Sequence, residues 1–417
     1  MTLSIHQLMT TPPQPQADFT SPIRPIPQLL NAVQAQRHRQ VLIDGRWFCD
    51  FASCNYLGFD LHPLIQQAIP QAIARWGTHP SWTRAVASPH LYQELEQKLA
   101  ELVGAAATLV FPSLTLLHMG VIPLLADQES VIFLDQAAHR SIYEACRLAR
   151  QGGATVIRYR HNSLSDLARK LEKYADKPTK LIAVDGVYSM GGDCAPLPSY
   201  LHLAQRFDAR LYVDDAHGFG LLGANPDAQL PYGYGGSGVA NYFGLQEYGK
   251  TMIYCAGLSK AFSSFGAFVT CADEEVKNRL ATAWSLVFSG PIPIASLAGA
   301  IAGLEVNHQE GDRRRQHIYR LTRQLVTAAR EMGFEVDNET YLPIVSVVMG
   351  DAEHMVAACQ QLWRDGILVT PALHPAVPSH RNALRFSVTA ANTDREIERA
   401  IASLQHIRRH LALSQAA

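Results

Sequence analysis

With 417 residues, 47% of them hydrophobic, the chain is long enough for a main domain and a smaller one around a large core. A formal net charge of −1 argues against nucleic acid or an anionic membrane as partner. Seven cysteines at 49, 54, 146, 194, 255, 271 and 359, with no CxxC, argue against a zinc ribbon or any other metal site and fit reduced thiols in a cytosol.

Residues 1–20 lack a basic stretch followed by an apolar core, so no signal peptide is expected. The apolar run 114–126, broken by His118 and Pro123, is too short to span a membrane. A cytoplasmic location is the expectation. Residues 9–28, rich in Pro, Gln and Thr, read as an extended arm, disordered to about Thr20. A helical pattern over 27–40 precedes a hairpin around Asp44-Gly45 and a helix over 62–76. From about residue 60, short apolar runs at 108–111, 131–134, 155–159, 181–184, 211–213, 253–256 and 267–271 alternate with helical segments such as 91–103, 139–150 and 164–174. That rhythm predicts an α/β domain with a mostly parallel seven-stranded sheet. After it come a long helix through Met332, strands at 344–348 and 384–388 around a helix at 351–365, and a helix opened by Thr393 with Glu396 at capping-box spacing. The expected division is an N-terminal arm and small segment (1–59), a large domain (60–300) and a smaller α+β C-terminal domain (301–417). Residues 225–248, with Tyr232-Gly-Tyr-Gly-Gly-Ser-Gly238, read as a flexible surface insertion, or as a flap over the substrate entrance.

Two strand ends carry the chemistry. Leu211-Tyr-Val runs into Asp214-Asp-Ala-His-Gly218, and Ile253-Tyr-Cys-Ala256 runs to Lys260. Open α/β sheets bind ligands at the carboxyl ends of strands. Singly, Asp214 reads as a helix N-cap and Lys260 as a solvated lysine. As a pair beside His217 and Gly218 they suit pyridoxal phosphate: the amine forms a Schiff base with the aldehyde, and the carboxylate keeps the pyridine nitrogen protonated.

Four motifs occur in order over about residues 45–395: Ser53-Cys-Asn-Tyr-Leu-Gly-Phe59, Asp185-Gly-Val-Tyr-Ser-Met-Gly-Gly-Asp193, Val213-Asp-Asp-Ala-His-Gly218 and Leu384-Arg-Phe-Ser-Val-Thr-Ala390. In these the chain resembles the α-oxoamine synthases, the fold-type I pyridoxal-phosphate acyltransferases of the class I/II aminotransferase superfamily. The resemblance implies that Lys260 is the Schiff-base lysine and proton-transfer base and that Asp214 pairs with the ring nitrogen, with Asp215 structural. It implies further that His139 stacks on the ring and that His217 lies near the cofactor hydroxyl and the substrate carboxylate. Ser189 then lies near the same hydroxyl, and Arg385 holds an amino-acid carboxylate, as a guanidinium suits. Bland alternatives exist for three of these: a helix-start histidine at 139, a turn serine at 189 and a surface ion pair at 385.

The chain departs from the family pattern at the phosphate. Where relatives have a Ser-Gly-aromatic turn, it has Ser113, Leu114 and Thr115, whose backbone N–H groups at a helix start are the expected donors. Gly257 stands where a Thr or Ser is common, with Ser259 as a substitute. Ser289 matches a serine that crosses from the partner subunit to the phosphate, implying a homodimer with shared active sites. Asn55, Cys54 and Arg84 are the remaining substrate-side candidates, with Cys54 standing where relatives have Asn or Tyr. The implied reaction condenses an amino acid with an acyl thioester, of coenzyme A or an acyl carrier protein, with loss of carbon dioxide. An aminotransferase and a catalytically silent partner subunit are the rival readings.

Overall fold

The computed structural model describes residues 26–374 and 376–415; the arm expected to be disordered to about Thr20 lies outside them. Its last residues are packed: Ile26 is 4% exposed and buried Gln28 donates to the carbonyl of Cys359 at 3.2 Å.

Seven strands form the central sheet: β1 (Ala107–Phe111), β2 (Ser130–Asp135), β3 (Thr155–Tyr159), β4 (Thr179–Asp185), β5 (Arg210–Asp214), β6 (Met252–Gly257) and β7 (Ala267–Cys271). Their spatial order is β1-β7-β6-β5-β4-β2-β3. Only β7 runs antiparallel to its neighbours, and the other pairs are parallel. Three of the strands are buried along their whole length and two more from their second residue on, as a sheet covered on both faces requires. Alternation along β5 sends Leu211 and Val213 into one core cluster and Tyr212 into the other, with Leu117, Val121 and Ile142. The carboxyl ends of β1, β2, β4, β5 and β6 therefore lie on one edge, each followed by a polar loop.

A smaller antiparallel sheet is built from Ile344–Gly350, Asn382–Ser387 and Thr370–Ala372. Helix Ala352–Arg364 is capped by the Asp351 carboxylate, and the last helix, Asp394–Gln415, opens on a capping box. There Thr393 N–H donates to Glu396 Oε2 at 2.9 Å, and Glu396 N–H donates to Thr393 Oγ1 at 3.3 Å. Helix Ile294–Glu331 joins the two parts. Its residues through Ile318 belong to the large core and those from Leu321 onward to the C-terminal core.

Two expectations are corrected. Residues 27–40 form no helix: a turn leads to the exposed edge strand Ala35–Arg37, which pairs with Gln40–Ile43. Leu29 reaches the C-terminal core, but Leu30 and Val33 are 94% and 52% exposed, so the segment lacks the continuous buried stripe a helix needs. The hairpin Gln40–Ile43/Arg46–Asp50 is present and gains a parallel neighbour, Ile367–Leu368. Residues 225–248 are neither a loose surface insertion nor a lining of the cavity described below. Buried Tyr232 donates to the Tyr341 carbonyl, Gly235 N–H donates to Asp312 at 2.9 Å, and Asn307 donates to the Gly235 carbonyl at 2.9 Å. The segment is pinned to the long helix.

Candidate active site

A cavity of about 150 Å³ opens at the carboxyl edge of the sheet, lined by Ser113, Leu114, Thr115, His139, Asp185, Asp214, His217, Ser259 and Lys260 among others. Eight sequence-predicted residues thus meet at one place. Asp214, the last residue of β5, pairs in register with Asp185 of β4, so two buried carboxyl groups face each other. Burial first, and then the Asp214 charge, push the Asp185 carboxyl well up; its Oδ1 accepts from His139 N–H at 3.0 Å. Asp214 is the reverse case. Burial alone would raise it, but the His118 imidazole, at 2.9 Å from Oδ2, and then the more distant Lys260 and His139 hold it below the usual carboxylate value.

Both site histidines are shifted toward the neutral form. His217, almost fully buried, is pushed well down by burial and by the charges of Lys260 and Arg385; its Nδ1 meets Tyr56 Oη at 2.8 Å. At the cavity wall, partial desolvation lowers His139 against the pull of Asp214, and Ser141 Oγ at 2.7 Å orients its Nδ1.

The phosphate side is the start of helix Leu114–Leu125. Ser113 caps it, accepting from Leu116 N–H at 3.3 Å. First-turn amides have no partner within their own helix, so those of Leu114 and Thr115 are available to an anion. A phosphate fits this donor set. A Cβ on Gly257 would come to 3.5 Å from Leu114, so the glycine is not forced by crowding there. The amine, the ionised carboxylate and the helix start together match the aldehyde, ring nitrogen and phosphate of pyridoxal phosphate.

Arg385, on the C-terminal sheet, is buried and close enough to His217 for its charge to act there. Its Nε donates to the Ser189 carbonyl at 2.6 Å, and its terminal nitrogens lie 3.7 Å from Cys54 Sγ. Burial would raise the Cys54 thiol, yet the Arg385 guanidinium brings it below its ordinary value. Ser189 thus meets Arg385 through its backbone. Asn55 sits in the adjacent turn, accepting from Gly58 N–H at 2.9 Å. Two candidates lie elsewhere. Arg84 donates to Glu96 at 2.9 Å and to the Val110 carbonyl at 2.7 Å, locked under β1. Ser289 follows exposed Phe288 and has a buried hydroxyl with no hydrogen-bond partner among the described residues. Sequence reasoning missed Asp185, Tyr56 and His118. Asp185 and Tyr56 lie inside the quoted motifs, and His118 is conspicuous as an imidazole in an apolar helix.

Residues 48–404 match the family model described as aminotransferase class I and II. The chain belongs to that family. Among curated proteins it is 34% identical to 8-amino-7-oxononanoate synthase of Geobacter sulfurreducens, covering 92% of this chain and 95% of the relative. It is 31% identical to serine palmitoyltransferase of Sphingobacterium spiritivorum, covering 90% of each. A serine palmitoyltransferase from S. paucimobilis, solved with a bound PLP–myriocin aldimine, superposes with a TM-score of 0.84 at 27% identity over 93% of this chain and 94% of that one. This class I/II family member is a pyridoxal-phosphate-dependent C-acyltransferase of the α-oxoamine synthase group, with the fold-type I architecture. Neither the aminotransferase nor the silent-subunit alternative is favoured by these relatives. No helix among the described residues is long and apolar enough to cross a membrane, and they contain no cluster of metal-ligating side chains.

Proposed function

We propose that the chain joins an amino acid to an acyl thioester, releasing carbon dioxide and the free thiol and leaving an α-aminoketone. The observation that carries this is the meeting of Lys260, Asp214, His217 and the Ser113–Thr115 helix start in one cavity, with the Arg385 charge close enough to act on His217. When bound, pyridoxal phosphate supplies the aldehyde and the protonated ring that delocalise a carbanion. Lys260 would hold the cofactor through its aldehyde, and its amine, once freed, would take the α-proton of the amino acid. Asp214 would keep the proton on the ring nitrogen, and the Leu114 and Thr115 amides would hold the phosphate, with Ser259 beside them. His139 would pack against the ring, and neutral His217 and Ser189 would serve the ring hydroxyl. Arg385 clamps the substrate carboxylate beside Cys54 and Asn55, so the α-carbon faces Lys260.

The acyl donor is a thioester of coenzyme A or of an acyl carrier protein, and the working unit is a cytoplasmic homodimer. Supporting the dimer, exposed Trp82, Trp284 and Phe288 gather beside Ser289, where Thr83 Oγ1 donates to the Val287 carbonyl at 2.8 Å. A second copy covering this face would bring Ser289 toward its neighbour's phosphate; Arg84 has no part in the reading.

The test is to supply the holoenzyme with each amino acid and an acyl thioester, following free thiol and carbon dioxide together. Equimolar release of both supports the reading. Turnover that needs a keto acid, with no thiol freed, overturns it in favour of amino-group transfer.

A further inference from the structure

Beyond Thr115 in its first turn, helix Leu114–Leu125 is apolar except for one imidazole. His118 has no exposed surface and lies one turn beyond Leu114, on the face that i and i+4 residues share. Its two ring nitrogens both have partners: Nδ1 meets Tyr212 Oη at 2.7 Å and Nε2 meets Asp214 Oδ2 at 2.9 Å.

Hydrogen counting fixes the carboxylate end of this chain and, for a neutral ring, the other end as well. An ionised carboxylate only accepts, so Nε2 carries the hydrogen and donates to Asp214. In the neutral ring Nδ1 then accepts, and Tyr212 donates. Burial pushes the Tyr212 hydroxyl well up, which keeps that proton in place. Asp214 Oδ1 accepts from Ala216 N–H at 3.0 Å. Both carboxylate oxygens are thus held from the protein side, and the remaining lone pairs face the cavity. The other charged groups around Asp214 are Lys260, His139 and Asp185. Lys260 and His139 are themselves placed to meet the substrate and the ring. His118 is the partner committed wholly to the carboxylate.

We propose that His118 is a positioning residue that holds Asp214 oriented and ionised against the cofactor ring nitrogen, with Tyr212 fixing its tautomer. One helix then governs both poles of the cofactor: its first-turn amides take the phosphate, and its second turn backs the ring-nitrogen partner. This rests on the cofactor reading above.

The experiment loads the full-length protein with pyridoxal phosphate carrying ¹⁵N in the ring and follows that nucleus by NMR over a pH series. Wild type is expected to keep the ring nitrogen protonated across the working range. In His118→Phe its titration should move down by about one pH unit or more, each unit being a tenfold change in the protonated fraction's equilibrium. His118→Gln, whose side-chain amide donates to a carboxylate, should restore most of the shift. Tyr212→Phe, which removes only a hydroxyl, should lie between. A His118→Phe protein that melts lower yet keeps the wild-type titration makes His118 a space-filler and overturns the proposal. Should that variant not fold, an unchanged titration in Tyr212→Phe with a displaced one in His118→Gln overturns the Tyr212–His118 chain, and the reverse order supports it. A wild-type protein that holds no labelled cofactor overturns the cofactor reading itself.

Discussion

Asp214 and Asp215 are neighbours at one strand end, yet the two faces of the sheet give them opposite fates. On the cavity face, Asp214 has an imidazole donor at 2.9 Å and positive groups nearby, and it is ionised. On the other face, Asp215 Oδ2 accepts from Tyr254 Oη and Val239 N–H, each at 2.7 Å, while its Oδ1 has no partner among the described residues. Burial, the largest influence, pushes that carboxyl up to about 7. Neutral donors satisfy a buried carboxyl without stabilising its charge as fully as nearby positive charge does. The difference separates a carboxylate that faces the cavity from one enclosed by packing.

The largest expected effect comes from Asp214→Asn, which should lower turnover by on the order of 10²–10⁴-fold while moving the melting temperature little. Equal activity losses in Asp214→Asn and Asp215→Asn would erase the contrast. Asp215 sharpens it through pH. Its folded-state value, about 7, exceeds the ordinary 3.8, so the stability it contributes is complete below 3.8 and lost as pH rises through 7. Chemical denaturation at pH 4 and 7 should therefore show a steeper decline for wild type than for Asp215→Asn, by on the order of 4 kcal/mol; parallel declines would contradict the assignment. Gly218→Ala probes the crowding on the same face. The new Cβ would stand 2.2 Å from Asp215 Oδ1, and a loss of about 1–3 kcal/mol is expected in thermal unfolding.

The smallest effect concerns His161, held between Asp135 and Asp193 at 3.0 Å each. Burial would lower it, but the two carboxylates push it up to about 10. That clamp's stability is present below the ordinary 6.5 and lost as pH rises through 10. The ring is 37% exposed, so solvent screening keeps the gain under about 1 kcal/mol. His161→Gln should remove the alkaline decline in melting temperature, and a decline that persists would place its source elsewhere.

Elements with strong local signals were legible in the chain itself: the helix predicted over 91–103 is Leu91–Val103, Asp214 ends a strand, and Lys260, His139 and His217 stand just past strand ends. The less legible features depend on distance or on solvent. His118 and Tyr212 are 94 residues apart, and each looks like core when read alone. Cys54 and Arg385 are 331 apart, so their contact has no local trace. Arg84 carries a guanidinium in a family-like motif, yet buried Glu96 claims it, and Glu96 reads as an ordinary helix-face charge until the fold buries it. The 27–40 segment failed for the opposite reason: its pattern is helical, but no continuous buried stripe exists.

The grip on Arg385 has a consequence for mutational drift. Its Nε is held by the carbonyl of Ser189, an acceptor that every amino acid at that position would provide. Substitution of Ser189 can therefore alter what the pocket offers a ligand without loosening the arginine. A change in the path of the main chain through that turn would remove this acceptor, so the placement of the guanidinium is robust to side-chain change at Ser189 and sensitive to insertion or deletion there.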